Sequence, residues 1–146
     1  MAQASSDLRD RREVVVRSHM ESENRREFDA TLATFSHPRY ELIATGQVFD
    51  GEEAVRGYYE TSRAAFPDQR NEILTLRHAD DAVVVEFDLL GTHRGPFLGS
   101  PGTGREFRCP MAALFLFEDG GDAIVCERVY FDAATILRQL GIGAAS

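Results

Sequence analysis

The feature that most constrains the fold is a run of alternating side chains between residues 83 and 93. One face of this run carries Val83, Val85, Phe87, Leu89, Gly91 and His93. The opposite face carries Glu86, Asp88 and Thr92. Because successive side chains of a strand point to opposite faces, the run predicts a strand with one buried face that leads directly into a histidine.

Helical patterns precede this strand, and further strand patterns follow it. The predicted helices cover residues 6–38 with a break near 21–24, residues 51–66 and residues 133–140. The predicted strands cover residues 40–45, 71–77, 82–93, 107–117 and 123–131. Helices followed by strands favour an α+β fold with a mainly antiparallel sheet. No repeat or linker divides the chain, so we expect one domain over 7–142 with frayed ends at 1–6 and 143–146.

Charge and cysteine content exclude several functional classes. The formal net charge of −8 disfavours nucleic acid and anionic membranes as partners. Cys109 and Cys126 are far apart and lack metal-site spacing, which favours two free core cysteines. With no secretory signal pattern and no long apolar run, we expect a cytoplasmic protein.

Two segments carry a resemblance to a known family. They are GTHRGPFLGSPGTGREF, followed by FLFEDGGDAIVCERVYFDAATILRQLG. They resemble the SnoaL-like polyketide cyclase branch of the nuclear transport factor 2-like (NTF2-like) superfamily, whose members read G-T-H-x-G-x-F, P-x-T-G-R and F-x-x-D-G-x-I-x-E before a D-x-x-x-L-L-x-Q-L-G tail. The first half of the chain matches this family in layout only.

The resemblance implies a fold, a partner and a chemistry. It implies a dimeric cone in which N-terminal helices pack in a strongly curved sheet around a pocket for a small hydrophobic ligand. It also implies an intramolecular aldol ring closure in which an aspartate is acid and base, without metal or cofactor. The motif position of that aspartate is Asp132. A non-catalytic ligand-binding or dimerisation module, and a ketosteroid-isomerase-like or epoxide-hydrolase-like enzyme, are alternatives on the same fold.

Asp132 and His93 are the predicted catalytic residues. A carboxylate at the mouth of an apolar pocket has a raised pKa and is a better base, although Asp132 can equally cap the last helix. His93 could donate to an oxyanion or shuttle a proton, or it could tie down the loop that follows it. We expect both side chains to face one cavity.

Other side chains are candidates for substrate binding. Tyr130, Tyr40, Tyr58 and Tyr59 could hydrogen-bond a ligand carbonyl, and Tyr130 is the preferred one. His37 is either functional or a cap at a helix end. Phe87, Met111 and Phe115 belong to the pocket wall or to the core. His19 and His78 are expected to face solvent, and no histidine or carboxylate spacing indicates a metal site.

The sequence also predicts an assembly. Ala112, Leu114 and Leu116 alternate on the strand face that should point away from the core. Apolar residues on an otherwise solvated face indicate an interface. We therefore expect a homodimer that pairs through the outer face of the sheet.

Overall fold

The structure, a computed structural model, describes residues 5–143. The helices are α1 (Ser6–Arg25), α2 (Phe28–Leu32), α3 (Glu52–Ala65) and α4 (Ala133–Leu140). The strands are β1 (Arg39–Leu42), β2 (Gln47–Asp50), β3 (Arg70–His78), β4 (Ala82–Thr92), β5 (Glu106–Phe117) and β6 (Ile124–Phe131). The predicted frayed ends fall mostly on residues 1–4 and 144–146, outside the described range. No helix within the described range is long and apolar enough to span a bilayer.

The six strands form one mixed sheet in the order β2-β1-β6-β5-β4-β3. All neighbouring pairs are antiparallel except β1 and β6, which run parallel. Register shifts between Ile73 and Thr75 on β3, and at Leu116 and Phe117 on β5, mark irregularities in the ladders. Irregularities of this kind bend strands and increase their twist. The prediction of an α+β fold with mainly antiparallel pairing is confirmed.

The register sets inward-facing side chains in rows across the sheet. In one row Tyr40, Glu127, Phe115 and Val83 are neighbours on successive strands. In another, Phe131, Met111, Phe87 and Ile73 follow one another. The predicted inner face of residues 83–93 is confirmed, since Val83, Val85 and His93 are fully buried.

Helix α1 packs on this inner face and is tied to the hairpin ends by a buried arginine. Arg12 is 1% exposed. Its guanidinium donates to the backbone carbonyl oxygens of Gly121, Asp80 and Glu118 at 2.7, 2.9 and 3.1 Å. These carbonyls belong to the turns that follow β3 and β5. The arginine therefore fixes α1 along the sheet, which decides where the later residues of α1 meet β6.

The N-terminal half departs from the predicted boundaries. Ser5 caps α1, because its side chain accepts from the Leu8 backbone N–H. The predicted break between two helices is present but lies after residues 21–24: α1 continues to Arg25, its C-cap Arg26 has a left-handed φ of 58°, and α2 begins at Phe28. Strand β2 was not predicted, because a four-residue edge strand carries too little alternation to be recognised.

Candidate active site

A small cavity lies between α1, α3 and the inner face of the sheet. Its volume is about 40 Å³, room for a few water molecules, so a ring-sized ligand requires side chains to move. The apolar wall consists of Met20, Phe87, Leu89, Met111 and Val129. The polar wall includes Glu23, Tyr40, Tyr58, Arg63 and Glu127. This mixture is the usual composition of a small-molecule site.

A larger cleft of about 360 Å³ opens beside the ends of β4 and β5. Most of its polar side chains are already paired. Arg108 pairs with Glu72 and Asp88, and the Gln139 amide donates to and accepts from the Arg108 backbone. Because these groups satisfy one another, the smaller cavity is the better candidate for chemistry.

The centre of the smaller site is a histidine–glutamate pair. His19 Nε2 lies 2.8 Å from Glu127 Oε1, and the His19 side chain is fully buried. Glu127 belongs to the inner face of β6, with Val129 two residues on. His19 comes from the face of α1 that also buries Val16 and Met20. The rings of Phe35 and Phe115 pack edge-on against the imidazole with centroids 5.3 Å away.

The hydrogen-bond network fixes where the protons sit on this pair. Thr34 Oγ1 donates to the Thr31 carbonyl at 2.6 Å, so it can only accept from His19 Nδ1 at 2.8 Å. A neutral His19 therefore carries its proton on Nδ1 and offers the Nε2 lone pair to Glu127. That arrangement requires Glu127 to be protonated.

Burial agrees with this assignment. Burial in the apolar interior raises the pKa of Glu127 to about 8, and it lowers the pKa of His19. Both shifts favour the uncharged forms. At neutral pH the pair is therefore a neutral carboxylic acid donating to a neutral imidazole.

A second chain of hydrogen bonds reaches the same place. The Tyr40 hydroxyl lies 2.6 Å from the Tyr59 hydroxyl, and 3.1 Å from both Glu23 Oε2 and His19 Nε2. With Nε2 occupied by Glu127, Tyr40 donates to Glu23 and accepts from Tyr59. Burial, and then the Glu127 carboxyl, raise the pKa of Glu23. Two carboxyl groups in one buried cluster disfavour double ionisation.

The cluster also has the composition of a cation site. His19 Nε2 and one carboxylate oxygen each from Glu23 and Glu127 lie within 4.8 Å of one another. Nitrogen and carboxylate oxygen donors are ligands that a divalent transition metal accepts. The spacing of histidines and carboxylates in the sequence did not indicate this group, and that the protein uses no metal stays a prediction.

Several predicted binding residues do meet in this cavity. Tyr40, Phe87 and Met111 line it, and Tyr59 is hydrogen-bonded to Tyr40. Phe115 is fully buried against His19 and belongs to the core behind the site. That Tyr40, Phe87, Met111 and Tyr59 contact a substrate stays a prediction.

Asp132 and Tyr130 lie outside the cavity. The Asp132 side chain is 65% exposed and caps α4, accepting from the Ala134 backbone N–H at 3.1 Å and the Thr135 hydroxyl at 2.9 Å. Tyr130 is 42% exposed, because it alternates with the inward-facing Val129 and Phe131. The expectation that Asp132 faces the same cavity as His93 is wrong.

His93 and His37 are also separate from the cavity. His93 is fully buried between Phe66 and Phe97, and its Nδ1 lies 3.0 Å from Thr103 Oγ1. It therefore ties down the loop between β4 and β5. His37 has a 63% exposed side chain 3.3 Å from Asp50. The catalytic roles predicted for Asp132 and His93 stay predictions without geometric support.

His19, Glu23 and Glu127, the main polar residues of the site, were not predicted from the sequence. His19 was expected in solvent, yet it is fully buried, and His78 is only 16% exposed beside Glu13. Glu23 and Glu127 were not singled out. Two signals could have revealed them: His19 and Glu23 are four residues apart on one helix face, and Glu127 alternates with Val129 on the inner face of β6.

The architecture of this chain is that of a known fold. A layout of N-terminal helices on one face of a six-stranded mixed sheet, with a polar cluster inside, defines an NTF2-like or ketosteroid-isomerase-like fold. The family model of the SnoaL-like polyketide cyclases matches residues 13–140. The chain belongs to this family.

Solved structures show the same fold. A SnoaL-like polyketide cyclase candidate from Jannaschia sp. CCS1 is 22% identical with a TM-score of 0.80, covering 95% of this chain and 97% of its own. IdmH, a polyketide cyclase candidate from Streptomyces antibioticus, is 24% identical with a TM-score of 0.75, covering 90% of this chain and 99% of its own. A hypothetical protein with a ketosteroid-isomerase-like fold from Catenulispora acidiphila DSM 44928, in complex with trimethylamine, is 22% identical with a TM-score of 0.76, covering 90% of this chain and 95% of its own. No curated protein matches the sequence.

Proposed function

We propose that this protein catalyses proton transfer beside a carbonyl group of a small hydrophobic substrate, in an intramolecular aldol reaction, with Glu127 as the acid and base. The observation that carries the proposal is the buried pair of Glu127 and His19, whose atoms are 2.8 Å apart, with Glu127 on the wall of a cavity whose other wall is apolar. The family supports a cyclase reaction, and the pair supplies groups that can perform it.

The first step removes a proton from the carbon beside the carbonyl. Glu127 first passes its own proton to His19 Nε2, and the carboxylate then takes the substrate proton, so that a C–H bond breaks, an O–H bond forms and the electron pair becomes an enolate. A base with a pKa of about 8 suits this task near neutral pH. When the Glu127 proton moves to His19 Nε2, the carboxylate is free to act while the proton stays in the pair.

The enolate oxygen needs a hydrogen-bond donor. Tyr58 and Tyr40 both line the cavity, and burial raises the pKa of both hydroxyls, so they remain protonated donors. The Tyr58 hydroxyl has no hydrogen-bond partner among the described residues, whereas Tyr40 is already engaged with Tyr59. Tyr58 is therefore the better candidate to stabilise the developing oxyanion.

Ring closure completes the reaction. The enolate carbon attacks a second carbonyl of the same molecule, a C–C bond forms, and the new alkoxide takes a proton from Glu127. The product is an isomer of the substrate, so no oxidant or reductant is consumed. The apolar wall of Phe87, Met111 and Leu89 supports a hydrophobic substrate and excludes water from the enolate.

Hydrogen–deuterium exchange tests the first step without knowledge of the natural substrate. 1-Tetralone, an apolar bicyclic ketone, is incubated with the protein in D₂O, and loss of its α-proton signal is followed by NMR. We expect the wild type to accelerate exchange and Glu127→Gln to reduce the rate by roughly 100-fold or more, the usual scale for general base catalysis. Asp132→Asn is the matched control and should leave exchange unchanged.

Two outcomes would contradict the proposal. Full exchange in Glu127→Gln, with loss in a stably folded Asp132→Asn, would return the acid and base role to Asp132. Binding of ketones without any exchange would favour the non-catalytic ligand-binding alternative.

A further inference from the structure

Two arginines, Arg63 and Arg70, lie on the cavity wall, and Arg70 pairs with Asp68. Arg63 lies in the last turn of α3 and lines the cavity with Glu23 and Tyr58. Its guanidinium carbon lies 5.2 Å from the ring centroid of Phe28 and 5.8 Å from that of Tyr59. These two rings stack on each other with centroids 4.5 Å apart. The guanidinium therefore lies beside this aromatic pair.

The guanidinium has hydrogen-bond donors that are without a partner. Arg63 Nη1 donates to Ser62 Oγ at 2.9 Å, whereas Nε is buried without a hydrogen-bond partner. Within residues 5–143 Arg63 makes no salt bridge. By contrast, Arg128 and Arg39 on the outer face share Glu41. A buried N–H group without a partner is costly, so the free edge of Arg63 is poised for an acceptor that the chain does not supply.

The positive charge of Arg63 acts on the carboxyl groups of Glu127 and Glu23. It lowers the pKa of Glu127 and of Glu23, although in each case less than burial raises it. Neither carboxyl group contacts the guanidinium. Either carboxyl group, once ionised, would repel an anionic ligand in the cavity. Of the two arginines on the wall, Arg70 pairs with Asp68, so Arg63 is the one available to offset that repulsion.

The shape of the free edge indicates which anion fits. Nε and the second terminal nitrogen of a guanidinium present two parallel N–H groups, which match the two oxygens of a carboxylate. We propose that Arg63 is a specificity-determining residue that binds a carboxylate of the ligand, so that the substrate is a hydrophobic carbonyl compound with a carboxylate group. That this ligand is a substrate rests on the proposed function, whereas the binding of a carboxylate by Arg63 does not.

Binding measurements separate these two claims. The probes are 4-oxo-4-phenylbutanoate, an aryl ketone with a carboxylate, and 4-oxo-4-phenylbutanamide, its neutral counterpart. Isothermal titration calorimetry with the wild type should give roughly tenfold or tighter binding of the acid, the scale of a charge-assisted hydrogen bond. Arg63→Gln should abolish this preference, and Arg63→Lys, which keeps the charge but loses the paired donors, should retain part of it.

The matched control is Arg56→Gln. Arg56 lies on the same helix but is half-exposed and pairs with Asp29, so its loss should leave the preference intact. Equal binding of acid and amide by the wild type would overturn the proposal, as would an unchanged preference in folded Arg63→Gln or Arg63→Lys. If the acid preference depends on Arg63 but no protein form exchanges α-protons, carboxylate binding stands and the catalytic proposal fails.

Discussion

His19 Nε2 lies 2.8 Å from Glu127 Oε1, although 108 residues separate them in the chain. The contact depends on two periodicities. The helical repeat of α1 turns His19 and Glu23 to the same side, and strand alternation puts Glu127 on the inner face of β6 beside Tyr40 of the parallel β1. Thr34 accepts a hydrogen bond from His19 Nδ1 and so fixes the tautomer of His19. The pair therefore shares one proton between His19 Nε2 and the Glu127 carboxyl group.

That proton makes stability depend on pH. Glu127 has a pKa of about 8 in the folded protein against its ordinary value of 4.5. Because the folded state holds the proton more tightly, this contribution to stability is fully present below about pH 4.5 and is lost as the pH rises through about 8. In Glu127→Gln the amide can donate to His19 Nε2 at every pH. We therefore expect its melting temperature, relative to wild type, to rise between pH 5 and pH 9.

The control for this experiment is Glu21→Gln. Glu21 is a 60% exposed residue of α1 paired with Arg25, and its replacement should give no such trend. Differential scanning fluorimetry over the pH series measures both variants against the wild type. A constant difference between Glu127→Gln and the wild type would show that Glu127 is already ionised at pH 5 in the folded protein.

The fold could be predicted from the sequence because its signals are local. The alternation of residues 83–93, Pro67 beyond α3 and Gly141 after α4 each act within a few residues. Gly141 has a φ of 71° and closes α4. The family motifs lie in the C-terminal half of the chain, which contains most of the sheet. The sheet was therefore predicted more accurately than α1 and α2.

The site could not be predicted in the same way because it depends on contacts between distant segments. A histidine inside a helix rich in charged residues is typical of a solvated face, and only the packing of α1 on β6 shows that His19 is buried. The prediction that Asp132 faces the cavity was wrong for a local reason. It is an even number of residues from Tyr130 and Arg128, so strand alternation puts all three on the outer face, opposite Glu127 and Val129.

The position of Asp132 predicts a structural effect instead. Its carboxylate accepts from the Ala134 backbone and from Thr135 at the start of α4. Asp132→Ala should lower the free energy of unfolding by about 1 kcal/mol, the usual cost of losing a cap, and Asp132→Asn should lose less because asparagine also caps. Urea denaturation measures both. An Asp132→Ala variant as stable as wild type would show that the cap is unimportant.

The outer face of the sheet predicts self-association. Ala112 and Leu114 on β5 are paired with Tyr130 and Arg128 on β6, and Leu116 continues the same half-buried row. We expect a homodimer by light scattering at micromolar concentration, and a monomer for Leu114→Glu, which puts a charge into that row. Val14→Glu, at a 65% exposed position of α1, should remain dimeric. A monomeric wild type would exclude this interface.

The last prediction separates proton chemistry from metal chemistry at the same three side chains. A divalent cation held by His19, Glu23 and Glu127 would need Glu127 without its proton. If the pair works by moving that proton, treatment with EDTA should leave ketone exchange unchanged. Added Zn²⁺ should inhibit exchange, and inhibition should strengthen as the pH rises towards 8, where the proton competes less. Glu23→Gln removes one ligand and should weaken this inhibition, whereas Glu21→Gln should not. Loss of exchange on chelation, with recovery on adding metal, would make the cation a resident cofactor and would contradict Glu127 as the base.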